Sequence, residues 1–260
     1  MHRLFVPPEQ LQQARGAHPA LGEAQLVSRI RLSPEQARHL GTVLRLKPGE
    51  EIEVFDGKGA RYRGWLEDSP ELDAAVLRLE GPLPEGPVRA VEVTLVQALA
   101  KGEKMELIIQ KATELGAARI VPLSSERAVV RLDAGRGGSK AERWRKVAQE
   151  AARQCGRADV PRIDEPTGWD GVLALLREEP GHRGLLLDPE ETALRLGPAA
   201  RGARRVLIAV GPEGGFSPEE RARALSGGLI AVSLGPLVLR TETAGLAALS
   251  VVLHVHGELG

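Results

Sequence analysis

Apolar positions along this chain change their period near residue 90. Before that point they alternate. Glu51-Ile-Glu-Val-Phe and Arg61-Tyr-Arg-Gly-Trp-Leu66 flank Asp56-Gly57, which predicts two strands joined by a hairpin. Ahead of them, Ser33-Pro34-Glu35-Gln36 combines a hydroxyl cap, a proline in the first turn and a glutamine three residues after the cap. That is a capping box, and it predicts a short helix to about His39. Glu80 to Pro87 is dense in glycine and proline without periodicity, and predicts a linker. Residues 1–79 therefore read as a small β-barrel of the kind that serves as a binding module, and residues 80–260 as a second domain.

From Ala90 onward strands and helices take turns. Val91 to Val96 predicts a strand; Met105, Ile108, Ile109, Ala112 and Leu115 mark one face of a helix that Gly116 ends. Ile120 to Leu123 predicts the next strand. A helix from about Ser139 would bury Trp144, Val147, Ala148, Ala151 and Cys155. Leu185 to Leu187, Val206 to Val210 and Leu229 to Leu234 predict further strands, and an apolar helix from Thr241 closes the chain. Alternation of this kind builds an α/β fold, with a mostly parallel sheet flanked by helices.

Two of these strands end in glycine turns. Val206 to Val210 runs into Gly211-Pro-Glu-Gly-Gly215, and Ser217 then caps a helix. Leu229 to Leu234 runs into Gly235-Pro-Leu-Val-Leu-Arg-Thr-Glu-Thr243. Ligands of open α/β sheets bind beyond the carboxyl ends of the strands, so both turns are expected to line one pocket. Gly214 and Gly215 have the freedom to adopt positive φ. The first turn lacks the Gly-Lys-Ser/Thr ending of a phosphate loop and is not Gly-x-Gly-x-x-Gly. Its helix already carries Ser217, Glu219 and Glu220, so a neutral or cationic ligand suits it better than a phosphate. In the second turn an apolar stretch from Leu234 to Leu239 precedes Arg240 and Glu242, with Thr241 a candidate N-cap.

Composition narrows the setting. The chain has 260 residues, 42% of them hydrophobic and 27% charged, and no run approaches the ~20 apolar residues that span a bilayer. The opening residues lack a signal-peptide core, and the lone Cys155 excludes an internal disulfide framework, which points to the cytoplasm. Asparagine is absent while arginine and proline are frequent, as in heat-adapted proteins or products of GC-rich genomes. The six histidines are scattered, and the two of His254-x-His256 diverge on a helix, so no metal is expected. Formal net charge is zero, so nucleic-acid binding must come from a local patch. Between Arg127 and Arg162 ten basic residues face four acidic ones. On a continuous helix Lys146, Arg153 and Arg157 would share one side.

Taken together, GPEGGFSPEE followed by LGPLVLRTETA resembles the knotted SPOUT methyltransferases, and within them the 16S rRNA uridine-N3 methyltransferase (RsmE) family. His2-Arg-Leu-Phe-Val resembles the opening of that family, and His39-Leu-Gly-Thr-Val-Leu-Arg-Leu-Lys-Pro-Gly49 its PUA-like barrel. Lys101 to Gly116, Ser125-Glu-Arg127 and Trp144 to Arg157 continue the pattern. The chain departs from it at Leu237, where a basic residue is usual, and at Cys155, where serine is usual.

The resemblance implies a C-terminal trefoil knot, a homodimer, S-adenosylmethionine as methyl donor, and 16S rRNA of the small ribosomal subunit as substrate; no DNA or membrane partner is expected. Cofactor contacts would come from Leu187, from the first turn (Gly211, Pro212, Glu213, Gly214, Gly215), from Val232, and from the second turn (Leu234, Gly235, Leu237, Val238, Leu239). Arg240 and Arg3 are candidate cations beside a uracil oxygen, with Glu242 as candidate proton acceptor. Lys101, Lys104, Lys146, Arg153 and Arg157 are candidate RNA contacts. Three other readings stay open: a ribose 2′-O or tRNA methyltransferase, a catalytically silent RNA-binding assembly factor, and a nucleotide-phosphate binder.

Overall fold

Asp56 makes the expected hairpin. Its Oδ1 accepts hydrogen bonds from the backbone N–H of Lys58 at 2.7 Å and of Ala60 at 3.0 Å, while Gly57 takes φ +76°. A side chain at Gly57 would meet the Phe5 ring at 2.8 Å, a second reason for glycine there. The computed structural model describes residues 2–16, 28–67, 75–84, 86, 88–128, 137–179 and 181–260. They form two compact units, residues 1–87 with 152–160 and residues 88–151 with 161–260.

The first unit holds β1 (His2–Phe5), α1 (Pro8–Gly16), β2 (Ser28–Arg31), α2 (Pro34–Arg38), β3 (Glu51–Phe55), β4 (Arg61–Leu66) and β5 (Val76–Pro82). Its five strands are ordered β1-β3-β4-β5-β2, with β1 parallel to β3 and the other pairs antiparallel. Alternate strand residues, among them Leu4, Ile30, Ile52, Val54, Leu77 and Leu79, bury one face. The capping box forms as the sequence requires: Ser33 Oγ accepts from Gln36 N at 3.2 Å, and Gln36 Oε1 from Ser33 N at 2.8 Å. After α2 a turn of π-helix continues from His39 to Val43. The segment expected to be a linker differs. β5 runs on through Gly81 and Pro82, and Leu83 N donates to Arg61 O at 2.7 Å. Edge pairing with β4 overrides the glycine and proline there, while Glu85 and Pro87 lie outside the described residues.

In the second unit strand and helix alternate: β6 (Glu92–Ala98), α3 (Lys104–Leu115), β7 (Arg119–Leu123), α4 (Gly137–Cys155), β8 (Arg162–Ile163), α5 (Trp169–Glu178), β9 (His182–Leu187), α6 (Leu196–Ala200), β10 (Arg205–Val210), α7 (Pro218–Ser226), β11 (Ile230–Val232) and α8 (Thr241–Val255). The last turn of α4 belongs to the first unit. The strands form a parallel six-stranded sheet ordered β11-β9-β10-β6-β7-β8. β10 is buried from Val206 to Val210, which explains why those residues read as a continuous apolar run. Gly116 ends α3 at φ +113°, as a C-terminal glycine should. Cys155 is exposed rather than packed, because it falls in the final turn of α4.

The order of the last strands places the site. From β10 the chain passes through α7 to β11, on the far side of β9, and must then return across the carboxyl ends of β9 and β10 to begin α8. On the way it runs beside the segment that follows β9. Ser233 N donates to Leu194 O at 2.9 Å and Leu196 N to Ser233 O at 3.0 Å. α8 then packs over α3, α6, β6 and β10.

Candidate active site

Because the sheet is parallel, Gln97 and Ala98, Leu187 and Asp188, Val210 and Gly211, and Val232 and Ser233 all arrive at one edge. The two glycine turns meet there. Thr241 Oγ1 donates to Gly211 O at 2.6 Å, so the first residue of α8 is tied to the first residue of the 211–215 turn. Thr241 is thus not the N-cap. Arg240 holds that position with φ −63° and ψ 151° and makes no side-chain cap. The threonine hydroxyl reaches the neighbouring turn instead.

Each turn is braced from behind. Gly215 N donates to Pro212 O at 2.9 Å, and Gly215 takes φ +67°; Gly214 does not enter the left-handed region. Arg127 Nη1 donates to Gly214 O at 3.1 Å and Phe216 O at 3.4 Å, and Phe216 meets Trp169 edge-on at 5.1 Å. Below the turn lies the buried carboxylate of Glu220. It accepts from Ser125 Oγ at 3.0 Å, Glu126 N at 3.1 Å, Trp169 Nε1 at 3.1 Å and Ser217 N at 3.0 Å. Four donors satisfy its oxygens internally, so Glu220 is the keystone of the turn and presents no charge to a ligand. In the second turn Gly235 N donates to Ser233 Oγ at 3.2 Å, and Arg195 Nη1 donates to the same oxygen at 3.2 Å.

Lys104, at the start of α3, spans both turns. Its Nζ lies 3.0 Å from Glu213 Oε1 and 3.3 Å from Glu242 Oε2. The two carboxylates hold Lys104 protonated above its ordinary value of 10.5. Glu213 is held below the ordinary 4.5, first by its own backbone N–H and, against the opposing effect of burial, by Lys104. The raised lysine contributes fully below 10.5 and loses its contribution as pH rises through its folded value; the depressed Glu213 contributes fully above 4.5 and loses its contribution as pH falls through its own. Lys104→Met should therefore lower the melting temperature slightly and evenly between those limits. The difference should shrink in high salt, because the bridge is partly open to water. Thermal melts across pH and salt check this.

The structure sorts the residues singled out by sequence. Gly211, Pro212, Glu213, Gly214, Gly215, Leu234, Gly235, Leu239, Arg240 and Glu242 are gathered around the paired turns, with Leu187 and Val232 at the adjoining strand ends. Several backbone groups are already engaged: Gly211 O by Thr241, and Val232 O by Asp188 N at 3.0 Å. The apolar stretch of the second turn differs from expectation. Leu237 is 76% and Val238 82% exposed, so their side chains point outward in the single chain. Gly235 is fastened by Ser233, and the three residues after it are exposed. Arg240 is exposed, and among the described residues no hydrogen bond or ion pair holds its guanidinium.

Arg3 is committed elsewhere. In the first unit its Nε and Nη2 donate to Glu53 Oε1 at 2.9 and 2.7 Å, and its Nη1 to Ala152 O and Arg153 O at 3.2 and 3.3 Å. It also lies over the Phe55 ring at 4.7 Å. The guanidinium is a strut between a strand and the end of α4. Arg157 is likewise not on the helix face assigned to it. α4 ends at Cys155, and the Arg157 side chain is 8% exposed with Nη2 at 2.6 Å from Asp159 Oδ2. Lys101 and Lys146 are exposed and Arg153 is half-buried, while Arg131 and Arg136 of the basic stretch lie outside the described residues. Three residues of the site went unnoticed in the sequence. Gln97 lies just past the strand expected to end at Val96, and Arg195 and Ser233 carry no motif. A groove of about 430 Å³ lined by Arg145, Arg162, Asp164 and Thr167 lies along β8, at the opposite edge of the sheet from β11.

A parallel sheet whose paired turns meet at its carboxyl edge, preceded by a small β-rich unit, defines an RNA methyltransferase with a PUA domain. Residues 87–253 match the family model of an RNA methyltransferase domain, and residues 32–79 that of an RNA methyltransferase PUA domain. The chain belongs to the ribosomal RNA small subunit methyltransferase E family. It is similar to the proteins of that name from Mycobacterium bovis, at 39% identity covering 84% of this chain and 83% of the relative, and from Bacillus subtilis, at 32% covering 86% and 89%. Among solved structures it resembles a ribosomal RNA small subunit methyltransferase E from Neisseria gonorrhoeae bound to S-adenosylmethionine, at 30% identity and TM-score 0.82, covering 98% of this chain and 97% of the other. A methyltransferase from Legionella pneumophila in complex with the same cofactor gives 33% identity and TM-score 0.81, covering 97% and 96%.

Proposed function

We propose that this protein transfers a methyl group from S-adenosylmethionine to N3 of a uridine in 16S rRNA of the small ribosomal subunit. The observation that carries this reading is the tie between the two glycine turns, through Thr241 and Gly211, at the edge where a parallel sheet binds its ligand. The residues present fit the cofactor. A Cβ placed on Gly215 would meet nothing within 4 Å, and one on Gly235 only Arg195 at 3.9 Å, so open space lies beside both turns. The cofactor supplies an electrophilic methyl group on a positively charged sulfur. The chain holds the two reactants in line and excludes water between them, which lowers the entropic part of the barrier.

Attack by N3 requires loss of its proton, and the resulting uracil anion needs a cation beside O2 or O4. Arg240 is assigned that role: its guanidinium is exposed, unpaired among the described residues, and sits at the N-terminus of α8, where the helix dipole also favours negative charge. Glu242, in the first turn of the same helix, is assigned as proton acceptor, with Lys104 fixing its position. Leu187, Val232 and the 211–215 and 234–239 turns are assigned to the cofactor. Arg3 and Arg157 are assigned structural roles, by the partners that hold them. N3 lies on the pairing edge, so the target base must be unpaired or flipped out.

We assign residues 1–79 to RNA binding and residues 80–260 to methyl transfer, with the return from β11 to α8 threaded as a trefoil knot. A cytoplasmic homodimer completes the reading, and the outward-facing Leu237 and Val238 support an interface at the second turn. No helix among the described residues is long and apolar enough to cross a membrane. Lys101, Lys146 and Arg153 are assigned to the RNA backbone. Lys101→Glu with Lys146→Glu should weaken RNA binding by at least tenfold at physiological salt and flatten its salt dependence, while cofactor affinity is unchanged. Filter binding at several salt concentrations checks the first point and calorimetry the second. The cofactor reading is tested by thermal shift: S-adenosylmethionine should raise the melting temperature and ATP or GTP should not. A shift with the nucleotides alone would favour a phosphate binder.

A further inference from the structure

Gln97 is completely buried at the carboxyl end of β6, the strand beside β10 in the middle of the sheet. A neutral amide in that position is costly unless its groups are hydrogen-bonded. Its Nε2 donates to Thr241 Oγ1 at 2.9 Å and to Ala98 O at 3.3 Å. The Thr241 hydroxyl in turn spends its only hydrogen on Gly211 O at 2.6 Å. This fixes the orientation of the amide: a hydroxyl that donates to a carbonyl can only accept on its other side, so Nε2 and not Oε1 must face it. Gln97 Oε1 is left buried with no hydrogen-bond donor among the described residues.

A second residue is built around this amide. Gly245 lies in the second turn of α8, inside the helix, where glycine costs about 0.5–1 kcal/mol relative to alanine. Its φ requires no glycine, but a Cβ there would sit 2.7 Å from Gln97 Oε1. The helix accepts the weaker residue so that its backbone can approach the amide. A methionine at position 97, close to glutamine in length and volume, would remove the unsatisfied oxygen and suit the apolar surroundings, so folding alone gives no reason for glutamine.

We propose that Gln97 is a positioning residue for methyl transfer: through the Thr241 hydroxyl it sets the spacing between the 211–215 turn and the start of α8. The relay runs from β6 to Thr241 to Gly211, and so joins the middle of the sheet to both walls of the cofactor site. On one side of Thr241 stands Arg240 and on the other Glu242, so the register of the α8 N-terminus fixes both. The inference rests on the cofactor reading given above.

The test measures S-adenosylmethionine affinity by calorimetry, and kcat and KM for the cofactor, on the full-length protein. Wild type must bind the cofactor; if it does not, the cofactor reading fails and takes this inference with it. Given that binding, Gln97→Met should melt no lower than wild type yet bind the cofactor about tenfold more weakly, with the loss mostly in KM. Thr241→Val should show a similar loss, Thr241→Ser should recover most of it, and Gln97→Met/Thr241→Val should be no worse than the valine variant alone. Wild-type affinity and KM in Gln97→Met would overturn the proposal, as would losses that multiply in the double variant. Should Gln97→Met not fold, Thr241→Val and Thr241→Ser decide the matter: equal behaviour of the two overturns it.

Discussion

Arg240→Ala is expected to lower kcat by about two to three orders of magnitude while leaving S-adenosylmethionine affinity within about twofold. The uracil anion forms only as the N3 proton leaves, so a cation placed beside its oxygen acts on the transition state and not on the resting cofactor complex. Arg240 is the residue around the paired turns whose guanidinium stands exposed and, among the described residues, unengaged. Arg3 offers the contrast. Its guanidinium is held by Glu53, by two backbone carbonyls and by the Phe55 ring. Arg3→Met should therefore act on the stability of the first unit before it acts on kcat. Single-turnover kinetics with saturating cofactor separate these effects, because they read the chemical step directly. A fall confined to the KM of the cofactor in Arg240→Ala would remove the arginine from catalysis.

The second large effect concerns the base of the first turn. Glu220→Leu should destabilise the second unit by about 3–5 kcal/mol, the range for losing one partner of a buried, charged network. Four donors would be stranded at once: Ser125 Oγ, Glu126 N, Trp169 Nε1 and Ser217 N. Three of them lie away from α7, two in the loop after β7 and one at the start of α5, so the change would loosen both together with the N-terminus of α7. Glu220→Gln keeps the shape but can accept with only one oxygen, and should recover part of the loss. Urea unfolding measures it, with the midpoint moving to lower denaturant in the order wild type, glutamine, leucine. The order is informative because Glu219, its neighbour, is exposed; Glu219→Leu should barely move the midpoint.

Much of the fold was legible because its signals are local. The capping boxes at Ser33 and Ser217 and the Asp56-Gly57 hairpin rest on hydrogen bonds within a few residues, and all three appear as the sequence requires. Apolar runs gave the buried parallel strands for the same reason. The meeting of the two glycine turns also followed, once strand ends were placed at one edge. The contacts that refine the site are not local. Thr241 has the form of an N-cap, yet its hydroxyl goes to Gly211, thirty residues away in sequence. Gln97 follows the strand expected over Val91 to Val96, and only the buried approach of Gly245 shows that the fold is built around its amide. Arg157 lay on a projected helix face, but the helix stops two residues earlier and an ion pair to Asp159 takes over. An apolar stretch does not say what covers it, which is why Leu237 and Val238, expected to line the pocket, stand exposed.

The central claim is the reaction itself, and one measurement reaches it most directly. Purified protein and S-adenosylmethionine are incubated with small ribosomal subunits from a strain lacking this gene, and the RNA is digested and its nucleosides identified by mass spectrometry. The account predicts 3-methyluridine, absent when the protein is omitted and sharply reduced with Arg240→Ala. A methyl group on ribose, or no methylated nucleoside despite measurable cofactor binding, would contradict it.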